Sequence, residues 1–223
     1  MDYRIHFIIL CLFASPLCAN ENPTAEELEK WFLEDTLTTK KEVNEGQLIF
    51  LKTPPMKPTL HSINVFTIDD TSINEGWVKL SQCYENLDAV PVAEVVFQYR
   101  FMRHLKIKSS RNIQQAKVKN QSVQLEDIKK NARLCITAEV RNFYQNEDKS
   151  FSLVNGPYHR KFLDGYYPYH LSMDIKFSKQ LKFVNQSPKN QIGYTVKKSP
   201  NRLNIDTWFE GKLNTEFRFR LIK

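Results

Sequence analysis

The side chains best suited to recognition or catalysis are concentrated in one segment, residues 155–170, with the sequence NGPYHRKFLDGYYPYH. Tyrosine combines a flat apolar ring with a polar tip, which suits it to stacking on sugars or filling a pocket in a protein partner. Connections between β-strands often carry such residues because the strands hold them in place. The segment therefore predicts a binding site. The candidate binding residues are Tyr158, His159, Arg160, Asp164, Tyr166, Tyr167, Tyr169 and His170.

A structural role for the same segment is the alternative. It contains two turn-forming pairs, Gly156-Pro157 and Asp164-Gly165, and tyrosines often close the ends of β-sandwiches. A related Leu-Asp pair occurs earlier, at Leu87-Asp88, where an aspartate can accept backbone N–H bonds and hold a corner. The Leu-Asp pair is therefore expected to be scaffold, and the surrounding aromatic and histidine residues are the functional candidates.

Catalysis by this segment is a further hypothesis. His159, Asp164 and His170 carry groups that bind metals or transfer protons. Their spacing matches no ligand pattern, and the chain contains no HExxH, GxSxG or paired CxxC motif and only six glycines. We therefore predict no catalytic residue, no cofactor and no metal ligand. A metal-dependent or hydrolytic enzyme centred on residues 155–170 is the alternative.

The first residues have the layout of a secretory signal peptide. One basic residue, Arg4, precedes an apolar run from Phe7 to Ala14, and cleavage is expected after Ala19. The run is shorter than the roughly 18 residues that span a bilayer, although an uncleaved anchor and a lipid on Cys18 are alternatives. We predict an exported protein, periplasmic or secreted, with no transmembrane segment in the mature chain.

The chain is basic, with a formal net charge of +7. A positive surface attracts acidic partners. The basic residues are scattered, however, and recur at outward positions of predicted strands, such as Lys106, Lys108, Arg218 and Arg220. Binding to nucleic acid would require a clustered basic stripe with stacking aromatics in a recognisable module. We therefore expect a solvated basic surface and no nucleic-acid partner.

Two cysteines, Cys83 and Cys135, lie outside the predicted signal peptide. In an oxidising compartment such a pair usually forms a disulfide. Alternate residues from Leu134 to Val140 form the apolar face of their strand, so Cys135 points to the opposite side. We predict a bond between adjacent strands rather than a bridge through the core, with two free thiols as the alternative.

Short runs of alternating apolar and polar residues predict β-structure from residue 61 onward. One helix is predicted at 24–36, where Thr24 and Glu27 form a capping box. A short strand at 47–52 and a proline-rich linker follow. The predicted strands lie near 61–69, 76–83, 93–101, 104–109, 114–119, 122–126, 132–143, 150–155, 168–177, 180–185, 192–198, 202–209 and 212–222.

The strand pattern repeats once along the chain. At an offset of 76 residues Val78 matches Val154, and the offset grows to 79, where Leu134 matches Leu213. Each copy would hold six or seven short strands, a number that suits a two-sheet sandwich. Chance similarity between two β segments is the alternative.

The sequence thus predicts an all-β protein made of two tandem immunoglobulin-like antiparallel β-sandwich units behind one short N-terminal helix. A single larger β-sandwich or barrel is the alternative. The expected boundaries are a signal peptide at 1–19, the helix, short strand and linker at 20–60, and the two units at 61–142 and 143–223. The expected function is non-catalytic binding or a structural role, acting on an envelope or extracellular protein or a glycan.

Overall fold

The computed structural model describes residues 44–162 and 165–222. In these residues the chain forms fifteen strands and one short helix, α1, which spans Asp70–Glu75. The strands are β1 Ile49–Phe50, β2 His61–Ile68, β3 Trp77–Leu87, β4 Val92–Val96, β5 Met102–Lys119, β6 Ser122–Arg141, β7 Phe143–Gln145, β8 Phe151–Tyr158, β9 Arg160–Phe162, β10 Gly165–Tyr167, β11 Tyr169–Phe177, β12 Leu181–Ser187, β13 Val196–Ser199, β14 Arg202–Glu210 and β15 Leu213–Leu221. The predicted signal peptide and the predicted helix at 24–36 lie outside the described residues. Within the described part, no helix has the length and apolar character to cross a bilayer.

The predicted all-β class is confirmed. Nine strands form the largest sheet in the order β1-β14-β11-β2-β3-β6-β4, with β13 also paired to β14 and β5 also paired to β6. A smaller sheet has the order β12-β15-β8-β7, and β9 and β10 form a two-stranded ribbon. Among the described strands, β2 and β11 are the one parallel pair, and all other pairs are antiparallel.

The predicted pair of immunoglobulin-like units is not confirmed. Strand β2 belongs to the first predicted unit and β11 to the second, yet they are neighbours over their length, from His61↔His170 to Ile68↔Phe177. One sheet therefore contains strands from both sides of the predicted boundary at 142/143. The hydrogen bonds of that sheet join the two halves of the chain.

The sequence repeat has a partial counterpart in the strand pairing. In the first half, β6 is flanked by β3 and β4 on one edge and by β5 on the other. In the second half, β14 is flanked by β11 and β13, and β15 by β8 and β12. The burial of matched residues agrees for Leu134 and Leu213, whereas Val78 is buried and its match Val154 is exposed.

The two larger sheets share one apolar core. Phe177 of β11 and Phe219 of β15 meet with ring centroids 5.1 Å apart, and Phe143 stacks on Phe151 at 5.3 Å. Alternate residues of each strand point into this core because side chains of a strand alternate between its faces. The packing is therefore that of a β-sandwich, and the opposite face of the nine-stranded sheet is left for polar residues.

The predicted disulfide is present and joins adjacent strands. Cys83 of β3 lies directly opposite Cys135 of β6, and the two are bonded. Both lie on the face of the nine-stranded sheet away from the core, as the alternation around Cys135 predicts.

Candidate functional site

The segment 155–170 does not form one site. It contains the end of β8, the β9–β10 ribbon and the start of β11, so successive side chains point in different directions. Tyr158, His159, Arg160 and Tyr169 line one pocket, Tyr166 and Tyr167 belong to the ribbon, and His170 lies on the opposite face of the large sheet. Asp164 lies outside the described residues. The two histidines of the alternative enzyme site thus belong to different sites.

A pocket of 590 Å³, the tyrosine pocket, opens between the two larger sheets and is lined by Tyr84, Tyr99, Tyr158 and Tyr169 among others. Burial raises the pKa of the Tyr169 hydroxyl to about 12 and raises the pKa values of the other three as well. At neutral pH these hydroxyls are therefore protonated, and each carries a hydrogen that it can donate. In the floor of the pocket, the Gln82 amide donates to the Tyr84 hydroxyl at 2.8 Å.

The mouth of the tyrosine pocket combines an ion pair with exposed apolar residues. Arg160 Nη2 lies 2.6 Å from Asp88 Oδ1, which ties β9 to the loop after β3. Val92 and Val96 of β4 are 72% and 60% exposed, and Phe162 of β9 is 43% exposed. Strand β4 is the last strand of its sheet and pairs with β6 alone among the described strands. A strand edge that no other described strand pairs with, and that carries apolar side chains, therefore borders the pocket.

The tyrosines of the β9–β10 ribbon make close contacts within the chain. The Tyr166 backbone N–H donates to the Asn44 carbonyl at 2.9 Å, and its buried ring packs against Gly46 so closely that a Cβ at that glycine would lie 3.1 Å from a ring carbon. Tyr167 meets Phe162 edge to face, with centroids 5.3 Å apart. The ring of Tyr166 is thus packed against the chain, whereas the tyrosines at positions 158 and 169 line a pocket.

A second polar site crosses the outer face of the nine-stranded sheet. Five cross-strand neighbours on β14, β11, β2, β3 and β6 form what we call the outer row, namely Trp208, His170, His61, Glu85 and Arg133. The His170 ring stacks between its two neighbours, with centroids 3.7 Å from His61 and 3.8 Å from Trp208. The row exists because strand pairing aligns these positions and because each strand turns alternate side chains outward.

Hydrogen bonds join the two histidines through the next row of the sheet. His170 Nε2 lies 2.8 Å from Asp206 Oδ1, the Ser172 hydroxyl donates to the same oxygen at 2.5 Å, and His61 Nε2 lies 2.8 Å from Ser172 Oγ. A serine hydroxyl has one hydrogen. Since Ser172 gives that hydrogen to the carboxylate, His61 Nε2 donates to the serine oxygen.

The electrostatic environment keeps His61 neutral and Asp206 ionised. Burial and the nearby His170 lower the pKa of His61, although Glu85 and Asp206 oppose that shift. Burial alone would raise the pKa of Asp206, but hydrogen bonds from Ser172 and His170 bring it below its ordinary value. The site therefore presents a neutral imidazole beside a carboxylate on a partly exposed surface.

Sequence analysis singled out His170 but missed His61, Ser172 and Asp206. Within one strand the alternation of side chains puts His170 and Ser172 on the same face, which is a weak local signal. The contacts to His61 and Asp206 join residues 111 and 36 positions apart. They depend on which strands pair, and local sequence does not specify that.

Comparisons with known proteins leave the function open. No protein-family model matches the chain, and no curated protein matches it. Two solved structures of an M1 zinc metallopeptidase from Deinococcus radiodurans, one of them bound to a Tyr-Ser-Ala substrate, align at 9% and 11% identity with TM-scores of 0.40 and 0.36. Each alignment covers 78% of this chain and 43% of the peptidase chain. Such low scores support no conclusion about fold or activity.

Proposed function

We propose that this protein is an exported, non-catalytic binding protein that holds an extended segment of another exported protein at the tyrosine pocket. The observation that carries the proposal is the combination of a 590 Å³ pocket lined by four tyrosines with an apolar strand edge at its mouth that no other described strand pairs with. Ligand pockets commonly have volumes of about 300–1,000 Å³ and apolar, aromatic walls with a few polar groups.

The strand edge favours a polypeptide as the ligand. Strand β4 pairs with β6 alone among the described strands, so its outer edge can pair with an added strand, which is a common mode of peptide recognition. Val92 and Val96 are both exposed beside that edge and offer apolar contact to alternate side chains of the bound segment. One large side chain of the ligand would then enter the tyrosine pocket.

The polar groups of the pocket give it selectivity. The tyrosine hydroxyls offer hydrogen bonds inside, while the Arg160–Asp88 ion pair stiffens the mouth. His159 Nδ1 is buried and has no hydrogen-bond partner among the described residues. A buried polar atom of this kind gains from a partner on the ligand, because leaving it unpaired is costly.

A binding screen tests the proposal directly. The purified chain is screened against a phage-displayed library of random peptides and against a glycan array. We expect peptides with one aromatic or large aliphatic side chain to be enriched, and a Val96→Lys substitution to abolish their binding by placing a charge at the mouth. Enrichment of glycans alone would overturn the choice of a protein partner.

A matched control variant separates the site from a general surface effect. Val184 of β12 is also a partly exposed valine on an edge strand, 42% exposed, but it does not line the tyrosine pocket. We expect Val184→Lys to leave peptide binding unchanged. Equal losses in the Val96→Lys and Val184→Lys variants would place the binding site elsewhere.

Export is part of the same proposal and is tested separately. It is supported by the signal-like layout of the first residues and by the Cys83–Cys135 bond, which suits an oxidising compartment. A fusion of residues 1–60 to alkaline phosphatase, which is active outside the bacterial cytoplasm, is expected to be active. A fusion that begins at residue 20 is expected to be inactive, and equal activity of the two would contradict export.

We also propose that the two halves of the chain arose by duplication of one strand unit. The recurring arrangement of flanking strands around β6 and around β14 with β15 supports this origin. Related sequences, once aligned, are expected to match first halves to second halves at offsets of 76 to 79 residues. A consistent match at other offsets would contradict the duplication.

A further inference from the structure

We propose that His61, His170 and Asp206 bind a divalent transition-metal ion, with Zn²⁺ as the ion that best matches their chemistry. Two imidazole nitrogens and one carboxylate oxygen are a common zinc ligand set, and a fourth position stays open for water or another ligand. The inference concerns the outer face of the sheet and is independent of the tyrosine pocket.

The geometry brings the three ligand groups within reach of one ion. One potential ligand atom from each residue lies within 4.8 Å of the other two. Tetrahedral zinc with bonds near 2.0–2.1 Å needs ligand atoms roughly 3.3 Å apart. Strand pairing holds the three backbones in place, so the ligand atoms must move from within 4.8 Å to about 3.3 Å of one another by side-chain rotation. Asp206 is exposed, which leaves its carboxylate room to turn toward the histidines. Binding requires His61 and His170 to open from their stacked arrangement.

The chemistry of the three side chains suits a cation. A neutral imidazole offers a nitrogen lone pair to a metal. Asp206 supplies the negative charge that the cation requires. Two stacked imidazoles repel each other when both are protonated, whereas one bound cation satisfies both rings and the carboxylate.

A second carboxylate lies where zinc sites commonly have one. Metal-binding histidines usually donate the other ring N–H to a carboxylate, which fixes the ring and its tautomer. Glu85 Oε2 lies 3.8 Å from His61 Nδ1. Arg133 Nε lies 3.0 Å from Glu85 Oε1 and so helps to hold that carboxylate in place. In the metal-free site the His61 hydrogen is on Nε2. A metal bound at His61 Nε2 would shift that hydrogen to Nδ1, which faces Glu85.

The surroundings allow an ion to enter while sheltering the site. A pocket of 300 Å³ lies over the histidines and is lined by Trp208, Asn86 and the proline-rich segment 55–59. His61 and His170 side chains are 18% and 16% exposed. The site is therefore open to small ions but shielded from bulk water on one side by the indole ring.

The test is a titration of the chelator-treated full chain with Zn²⁺ at pH 7.5, in which isothermal titration calorimetry measures the binding. We expect one ion per chain, and we expect His61→Ala, His170→Ala and Asp206→Asn to abolish that binding. Glu85→Gln is expected to weaken it by about tenfold, the lower end of the effect of such outer groups. Absence of stoichiometric binding to the wild-type chain would overturn the proposal.

Two controls keep the result specific. His104 and His159 lie outside the cluster, so His104→Ala and His159→Ala should bind Zn²⁺ like the wild type, and losses equal to those of His61→Ala would overturn the site. Circular dichroism first establishes that each variant is folded, and a glutamine substitution at the same position replaces any alanine variant that is not. As a second measurement, ¹⁵N NMR should show the His61 proton moving from Nε2 to Nδ1 when Zn²⁺ is added, and an unchanged tautomer with bound zinc would contradict the proposed ligand atom.

Discussion

Arg160 and Asp88 form a two-pronged ion pair at the mouth of the tyrosine pocket. Arg160 Nη2 lies 2.6 Å from Asp88 Oδ1, and Arg160 Nε lies 3.4 Å from Asp88 Oδ2. The residues are 72 positions apart, one on each side of the boundary predicted between two units. The Leu-Asp corner predicted as scaffold thus holds the one arginine of the predicted binding segment.

A double-mutant cycle measures this pair. The side chains are 20% and 39% exposed, and partly exposed ion pairs contribute up to about 1 kcal/mol. We expect a coupling energy of about 0.5–1 kcal/mol between Arg160→Ala and Asp88→Ala in urea denaturation. Arg160→Lys is the matched control and should recover only part of it, because lysine cannot form both contacts. A coupling of zero would mean that the pair does not stabilise the mouth.

Loss of the disulfide should lower the free energy of unfolding considerably more than loss of the Arg160–Asp88 ion pair. Cys83 and Cys135 are separated by 52 residues, and a loop of that length gives about 4 kcal/mol of stabilisation in the chain-entropy model. The Cys83→Ser/Cys135→Ser double variant should therefore unfold at a much lower urea concentration. Dithiothreitol should lower the midpoint of the wild type but leave that of the double variant unchanged. A double variant as stable as the oxidised wild type would contradict this prediction.

The contribution of the N-terminal cap of α1 to the free energy of unfolding should be measurable, although the helix is short. Asp69 accepts a hydrogen bond from the Ser72 backbone N–H at 3.1 Å, and the Ser72 hydroxyl accepts one from the Asp69 backbone N–H at 3.1 Å. Replacing such a cap by alanine costs about 1 kcal/mol. We expect Asp69→Ala to lower the free energy of unfolding by about that amount. Asp69→Asn, which keeps an acceptor, should lose less.

The same residue gives a pH dependence with a definite sign. A hydrogen bond from Thr71 is the main cause that lowers the pKa of Asp69, and Lys79 adds to it. A carboxyl whose folded pKa lies below its unfolded value stabilises the fold above the unfolded value, near 3.9, and loses that contribution as the pH falls. The stability advantage of the wild type over Asp69→Asn should therefore shrink as the pH is lowered from about 5 to about 2. A constant difference across that range would refute the assignment.

Gly211 is a position where a side chain cannot fit. Its φ is +87°, and a Cβ there would lie 2.0 Å from the Gln47 carbonyl oxygen. A non-glycine residue at positive φ costs about 1–3 kcal/mol, and displacement of the Gln47 backbone adds to that. We expect Gly211→Ala to lower the free energy of unfolding by at least about 2 kcal/mol. Lys212→Ala, one residue along, should change it by less than about 0.5 kcal/mol.

Strands were predictable where alternation was regular, but their ends were not. The predicted strands at 104–109 and 114–119 are one strand, β5, and those at 122–126 and 132–143 are largely one strand, β6. Asn112, Asp127 and Asn131 favour turns and do adopt positive φ. The register shift near Ile113 shows how the sheet absorbs such residues, because the long β5–β6 pairing continues past them.

Helix α1 was not predicted because six residues between two strands give no helical periodicity. The outward position of His61 was equally hard to read. Strand β2 buries Ser62 and Asn64 and leaves Ile63 half-exposed, the reverse of what hydrophobicity favours. The neighbouring strands decide this, since Gln82 on β3 offers a hydrogen bond to the buried Ser62 hydroxyl.

The sequence by itself determined the all-β class and the face of its strand on which Cys135 lies, because alternation along a strand is a local property that side-chain chemistry sets. Only the tertiary structure decided that Tyr169 enters the tyrosine pocket while the next residue, His170, joins His61 and Asp206 on the other face. Two consecutive residues of a strand must face opposite ways. Which distant side chains each one meets depends on the pairing of β2, β11 and β14, and that pairing forms only when the whole sheet folds.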